Sequence, residues 1–383
     1  MNSRRFAACI AALVFALVFS LGGLAEEPRI APVLQPFVDS QSLAGAVTLV
    51  ASADKVLSLE AVGYADIAAK KLLTTNSLFW IASQSKPITA AALMILVDEG
   101  KVNIDDPVGK YLPEFNQQWL AVEKDEQHVL LKKPQHPVTV KHLLTHTSGM
   151  PFSSMLEQPT LDQLRLKDAV RSYALTPLQS EPGTKFQYSN AGINTAARII
   201  EVVTGKSYEA FMDERLFGPL GMKDTTFWPH DDQVGRVAKA YGPDDAKTGL
   251  KETPISQLTY PLTDPGRQPM PAGGLFSTAA DVAIFCQMVL NDGEYQGKRI
   301  LSPAAVKQMT SRQTAEPIKE AWGLGWSLGG DSFGHGGALS TNMNIYPQKK
   351  LITIFLVQHA GFPNNGGEAQ GKFVQAATEA FGK

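Results

Sequence analysis

The chain has 383 residues, 19% of them charged and 44% hydrophobic, with a formal net charge of −2. That balance belongs to a globular protein with a sizeable core and excludes a disordered chain. A charge so close to zero gives no electrostatic case for nucleic acid or an anionic membrane as partner.

The N-terminus stands apart. Arg4 and Arg5 precede an apolar run from Phe6 to Leu21, and Gly22-Gly23-Leu24-Ala25 follows. A basic start, an apolar stretch shorter than the about 20 residues of a membrane span, and small residues before a cut site describe a secretory signal. The expectation is an exported bacterial protein, periplasmic or secreted. Residues 1–25 are then removed, Glu26 is the first mature residue, and no stable membrane span remains. A single cysteine, Cys286, is left in an apolar helical pattern and reads as a buried hydrophobe.

Residues 44–51 and 56–62 are rich in Val, Leu and Ala, with Ser52-Ala53-Asp54-Lys55 as the turn of a β-hairpin. Ile88 to Val97 is apolar on nearly every side, the pattern of a helix buried in a core, and Gly100 ends it. From about residue 101 to 270, proline and glycine punctuate amphipathic helical segments over Leu161 to Tyr173, Ala191 to Thr204 and Tyr208 to Leu216. A helix over Thr278 to Asn291 follows. Strands are expected over Trp322 to Leu328, Asn342 to Tyr346 and Leu351 to Gln358, and an amphipathic helix over Glu368 to Phe381.

Adjacent strands joined by short turns favour antiparallel pairing. The expected fold class is therefore α+β, an α/β sandwich. One antiparallel sheet is formed from both chain ends (about 30–100 and 271–383) and flanked by helices. Residues 101–270 form an inserted, mostly helical lobe within one domain over 26–383. A cleft between the lobes is the default site.

Three motifs carry chemistry. Ser83-Gln84-Ser85-Lys86 puts a serine and a lysine one turn apart where a polar turn enters the buried helix. Lysine can activate serine as histidine does elsewhere. Taken alone, the pair more often marks a helix cap and a solvated charge. Pro87 fits only if the helix begins near Ser83, yet it biases Lys86 away from helical angles. Tyr188-Ser189-Asn190 lies in a turn before a helix. Beside a lysine, the phenol or the amine could take a serine proton, each perturbing the other. Asn190 could hold the lysine or a substrate carbonyl. His335-Gly336-Gly337-Ala338 falls near a strand start, where glycines allow close approach of a substrate. The Ser83 and Ala338 N–H groups could then form an oxyanion hole.

Ser-x-x-Lys, Tyr-x-Asn and His-x-Gly in this order resemble the class C β-lactamase-related serine hydrolases. These include class C β-lactamases, D-alanyl-D-alanine carboxypeptidases and esterases of the same fold. The strings Phe79-Trp80-Ile81-Ala82-Ser83, Leu143 to Gly149, Pro182-Gly183-Thr184 and Ala272 to Thr278 resemble the usual surroundings of these motifs. The resemblance implies Ser83 as nucleophile, Lys86 and Tyr188 as the proton-transfer pair, and Asn190, His335, Gly336, Gly337 and Ala338 in substrate and oxyanion binding. It implies no metal and no cofactor, and a small ester, amide or peptide as substrate. An esterase is the favoured activity, because Gly336 replaces the hydroxyl residue that helps the family bind a substrate carboxylate. A D-alanyl-D-alanine carboxypeptidase, a weak β-lactamase and an inactive penicillin-binding-like protein are the alternatives.

Rival motifs have less support. Gly330-Asp331-Ser332-Phe333-Gly334 spells a nucleophile elbow, but no acid-then-histidine order follows it. Lys247-Thr248-Gly249 spells the usual third motif within a polar loop without strand character. His142 and His146 have metal-ligand spacing, but helix-end packing is the better reading.

Overall fold

The computed structural model describes residues 29–382, so the signal-like segment lies outside the described residues. Strands β1 (Gly45–Ala51), β2 (Val56–Asp66) and β3 (Lys71–Leu72) come from one end of the chain. Strands β4 (Ser327–Leu328), β5 (Phe333–Gly336), β6 (Asn342–Tyr346) and β7 (Leu351–Leu356) come from the other. They form one sheet in the order β4-β5-β6-β7-β1-β2-β3. All its pairings are antiparallel, and β1 meets β7 in the register Val47↔Leu356 to Ala51↔Ile352.

The largely apolar runs of β1 and β7, interrupted by the buried Thr48 and Thr353, follow from having both faces covered. Side chains alternate along a strand. Val47, Leu49, Ala51, Ile352, Ile354 and Leu356 enter the large core, while Ala46, Val50, Leu351, Phe355 and Val357 enter a second core. Five longer helices frame these layers: α1 (Ser85–Asp98), α2 (Leu166–Leu175), α3 (Asn190–Thr204), α4 (Ala279–Leu290) and α5 (Ala369–Phe381). Helix α4 packs on β1 and β7 from the large-core side. Helix α5 covers the other face, where Phe373 stacks on Phe355 at 5.9 Å.

Helix α1 is buried from Ser85 to Leu96. A helix apolar all round belongs inside, and its first turn carries Lys86 in with it. Pro87 falls in that first turn, where a missing N–H costs nothing, and Lys86 is helical despite preceding it. Gly325, with φ 79°, lies against this turn: a Cβ there would come within 2.8 Å of Ala90 Cβ. Helix α3 is capped by Ser189, whose Oγ accepts from Gly192 N at 3.0 Å, and ends at Gly205 with φ 71°.

Several expected elements are corrected. The helix expected from Leu161 begins only at Leu166. The preceding residues are tied elsewhere: Leu161 N donates to Gln257 O, and the Asp162 carboxylate is held by Arg267. The strand expected over Trp322 to Leu328 is reduced to β4, because Gly323 packs against Met309 O and Gly325 turns the chain. The middle of the chain contains two hairpins besides its helices, Leu120–Lys124 with Val129–Lys132 and Ala240–Pro243 with Leu250–Thr253. Lys247-Thr248-Gly249 is the turn of the second, so it is flanked by strands after all. Cys286 is buried with Sγ 3.8 Å from Met343 Sδ, and burial pushes its thiol far up. No helix among the described residues is long and apolar enough to cross a membrane.

Candidate active site

Ser83 lies in a short 3-10 turn, Ala82–Gln84, that runs straight into α1. Ala82, just before it, adopts φ 47°. A non-glycine residue in this region is strained, and the strain persists only where surrounding structure fixes it. Here Trp80 Nε1 donates to Gly273 O at 2.6 Å, and Ile81 N donates to Leu275 O at 2.9 Å, anchoring the approach to Ser83.

Lys86 Nζ donates to Ser83 Oγ at 2.9 Å and to Ala272 O at 2.8 Å. The lysine is fully buried, and no carboxylate among the described residues lies within salt-bridge range of it. Burial alone holds its pKa well below the usual lysine range. Of the two roles open to Asn190, holding the lysine or a substrate carbonyl, the first falls to Ala272 O, and Asn190 Oδ1 is buried without a hydrogen-bond partner among the described residues.

Tyr188 precedes the cap of α3, so the start of that helix delivers its ring to the serine. Lys86 Nζ sits 4.7 Å from the ring centroid. Burial pushes the phenol up to about 12, with the neighbouring Ser83 hydroxyl pulling the other way. Mutual perturbation toward a phenolate, open on the sequence, is thus not the resting state. Desolvation pushes the phenol up and the amine down, each toward its neutral form.

His335 lies at the end of β5, paired with Met343 of β6. Its Nδ1 is 2.6 Å from Gly336 O and its Nε2 is 3.4 Å from the Tyr188 hydroxyl. The carbonyl can only accept, so Nδ1 carries the proton and Nε2 accepts from the phenol. Burial, reinforced by the Lys86 charge when present, lowers the imidazole to about 3. The turn after β5 is stitched to the serine segment by Thr341 Oγ1 donating to Ile81 O at 3.3 Å. A Cβ at Gly337 would stand 2.6 Å from Ile81 O, so this position requires glycine by space alone. Gly336 and Ala338 are exposed beside it. The structure thus gathers Ser83, Lys86, Tyr188, Asn190 and His335 to Ala338 at one place, where the N-terminal end of α1, the N-terminal end of α3 and the end of β5 converge.

Other residues belong to this neighbourhood although sequence reasoning gave them no part. His146, read as helix-end packing, is fully buried under Tyr188 with ring centroids 4.4 Å apart, and its Nδ1 accepts from Ser189 N at 3.2 Å. Trp322 packs edge-on to His335 at 5.8 Å. Ala272 contributes a backbone carbonyl. The strings around Ala272 and His146 stood out in the sequence, but a backbone acceptor and a packing histidine leave no side-chain signature of role. His142, by contrast, caps the short helix Val140–Leu144, its Nδ1 accepting from Thr139 N at 3.2 Å. Ser332 sits in the β4–β5 turn, with its carbonyl accepting from Gly329 N.

A family model described as Beta-lactamase matches residues 30–376. Penicillin-binding protein 4 of Amycolatopsis lactamdurans is 30% identical over 325 residues, 81% of this chain and 78% of that protein. Esterase EstB of Burkholderia gladioli is 28% identical over 339 residues, 81% of this chain and 80% of that protein. Among solved structures, EstCE1, described as a hydrolase with promiscuous acyltransferase activity, shares the fold with a TM-score of 0.77. It is 24% identical, and the match covers 91% of this chain and 97% of that one. The chain belongs to the beta-lactamase family of serine hydrolases.

Proposed function

We propose that the protein is a carboxylic-ester hydrolase working through an acyl-enzyme on Ser83. The observation that carries the reading is the buried, uncompensated Lys86 amine 2.9 Å from the Ser83 hydroxyl. A neutral amine is a competent base at neutral pH, whereas an ammonium is not. As Ser83 Oγ bonds to the ester carbonyl carbon, its proton passes to Lys86 Nζ. The Ser83 and Ala338 N–H groups face the resulting oxyanion. The bond to the alcohol oxygen then breaks, Tyr188 protonates that oxygen, and the Lys86 proton replaces the one Tyr188 gave. Water attacks the acyl carbon, its proton goes to the same pair, and Ser83 leaves with a proton restored.

Preference for esters over carboxylate-bearing peptides and β-lactams is supported by the third motif. His335 is neutral, and Gly336 offers no hydroxyl, so no built handle greets a substrate carboxylate. The penicillin-binding relative favours a second reading, a peptidase or weak β-lactamase. Turnover of p-nitrophenyl butyrate, nitrocefin and a D-Ala-D-Ala peptide separates the two. Ester turnover should dominate, and nitrocefin turnover far above it would sink the esterase reading. A fluorophosphonate should label the wild type and not Ser83→Ala; labelling that survives the substitution would refute the nucleophile.

A further inference from the structure

We infer that the loop 151–157 recognises the alcohol portion of the ester through Phe152, Met155 and Leu156, so that esters of long apolar alcohols are preferred. The inference rests on the ester-hydrolase reading above. The loop is built onto the site through its backbone. Ser189 Oγ donates to Pro151 O at 2.7 Å, and Asn190 N and Ala191 N both donate to Phe152 O, at 2.9 and 3.0 Å. The Phe152 ring then lies stacked on Tyr188 at 6.4 Å between centroids.

Its far end is fixed as firmly. Glu157 is buried, and its carboxylate accepts from Ser154 N at 2.7 Å and from the Tyr173 hydroxyl at 2.6 Å. Asn194 Nδ2 donates to that same hydroxyl at 3.0 Å, and Asn194 Oδ1 accepts from Ala272 N at 3.0 Å. Ala272 O is the acceptor of Lys86. A continuous buried chain of hydrogen bonds therefore runs from the lysine to the loop. Buried networks with every member satisfied rigidify what they hold.

Between these anchors the loop turns its large apolar side chains outward: Phe152 is 44% exposed, Met155 92% and Leu156 66%. A rigid loop that leaves such groups in water beside a reaction centre is an apolar contact surface awaiting a partner. The side of the site decides which partner. Tyr188 protonates the departing oxygen, and Phe152 stacks on Tyr188, so the loop borders the leaving group rather than the acyl group.

The test uses n-alkyl acetates, from butyl to octyl, with the purified protein. These alcohols have nearly equal basicity and every acetate gives the same acyl-enzyme, so differences in kcat/KM report recognition before that intermediate. Partial burial of the added methylenes should raise kcat/KM about tenfold from butyl to octyl acetate. In Met155→Ser/Leu156→Ser, whose side chains are mostly in water already, the octyl-to-butyl ratio should fall to about 2, and Phe152→Ala should lower it as well. A ratio near one in the wild type, with both esters hydrolysed, overturns this inference and leaves the esterase reading standing. So does a double variant that retains the wild-type ratio. If no alkyl acetate is hydrolysed while nitrocefin is, the esterase reading falls and takes the inference with it.

Discussion

The Tyr188 hydroxyl stands 3.4 Å from His335 Nε2, and His335 Nδ1 is spent on the carbonyl of Gly336 at 2.6 Å. The histidine is therefore locked in one neutral tautomer facing the phenol. Burial disfavours the charged form of this histidine and of Lys86 alike.

The pH dependence follows. Lys86 must be neutral to accept a proton, and burial holds its pKa well below the usual lysine range. The kcat/KM for p-nitrophenyl butyrate should rise as pH climbs through that depressed value, and be on its plateau well before pH about 10, where an ordinary lysine titrates. It should stay level until Tyr188 ionises at about 12. An acid limb centred near 10 would show that the amine is charged in the working enzyme.

Two neighbouring glycines should respond oppositely to substitution. At Gly336 a Cβ meets nothing closer than Thr341 O at 3.6 Å, so Gly336→Thr fits and restores a hydroxyl. Its ratio of nitrocefin to ester turnover should rise. At Gly337 a Cβ collides with Thr341 Oγ1 and with Ile81 O, so Gly337→Ala must displace the turn whose Ala338 N–H is the proposed oxyanion donor. Loss of one oxyanion donor costs about 10²–10³ in kcat, and that is the loss expected, with KM changed much less.

Acid should destabilise the fold through its buried histidines. His335 and His359 are held at about 3 and about 4 by burial, and His146 is also lowered by burial. The unfolded chain protonates these rings below pH about 6.5 while the folded chain does not, so stability falls as pH drops from there toward 4. Each such ring contributes up to about 1.4 kcal/mol per pH unit within that window. Asp281, raised to about 6 by burial, works in the opposite sense and offsets part of the loss. Urea midpoints at pH 7 and pH 4.5 measure the balance. A midpoint that does not fall would contradict it.

Tyr173→Phe isolates the buried hydrogen-bond chain. It leaves Glu157 Oε1 and Asn194 Nδ2 without their shared partner. Each unsatisfied buried group costs about 1–3 kcal/mol, so the melting temperature should drop by several degrees. An unchanged melting temperature would mean that solvent already reaches the pair.

Export remains a proposal from the first 25 residues. The mature protein recovered from a bacterial host's periplasm or medium should begin at Glu26. Retention of Met1 in the purified protein would contradict a cleaved signal.

Much of this architecture was legible because its causes are local. The two-faced burial of β1 and β7 shows as runs of mostly apolar residues interrupted by Thr48 and Thr353, and the burial of α1 as an apolar surface on nearly every side. Ser83 and Lys86 were readable because one helical turn joins them. What was not readable depends on contacts between distant segments. Nothing near Lys86 names Ala272 as its acceptor, since any residue has a carbonyl. Leu161 to Arg165 carry a helical pattern, but Asp162 is claimed by Arg267 from a remote loop. Nor does sequence reveal that burial pushes the Tyr188 phenol up and the Lys86 amine down, because that is set by how completely water is excluded.

The pairing of β1 with β7 has a consequence in time. Ser83 is made early, but the strand that brings His335 to Ala338 beside it, and β7 that ties this strand to β1, are among the last parts of the chain to be synthesised. Contacts between such distant segments form late and slowly. A nascent or truncated chain therefore carries Ser83 without the segment proposed to complete its oxyanion hole, and the proposed activity would arrive only once that last part of the chain is in place.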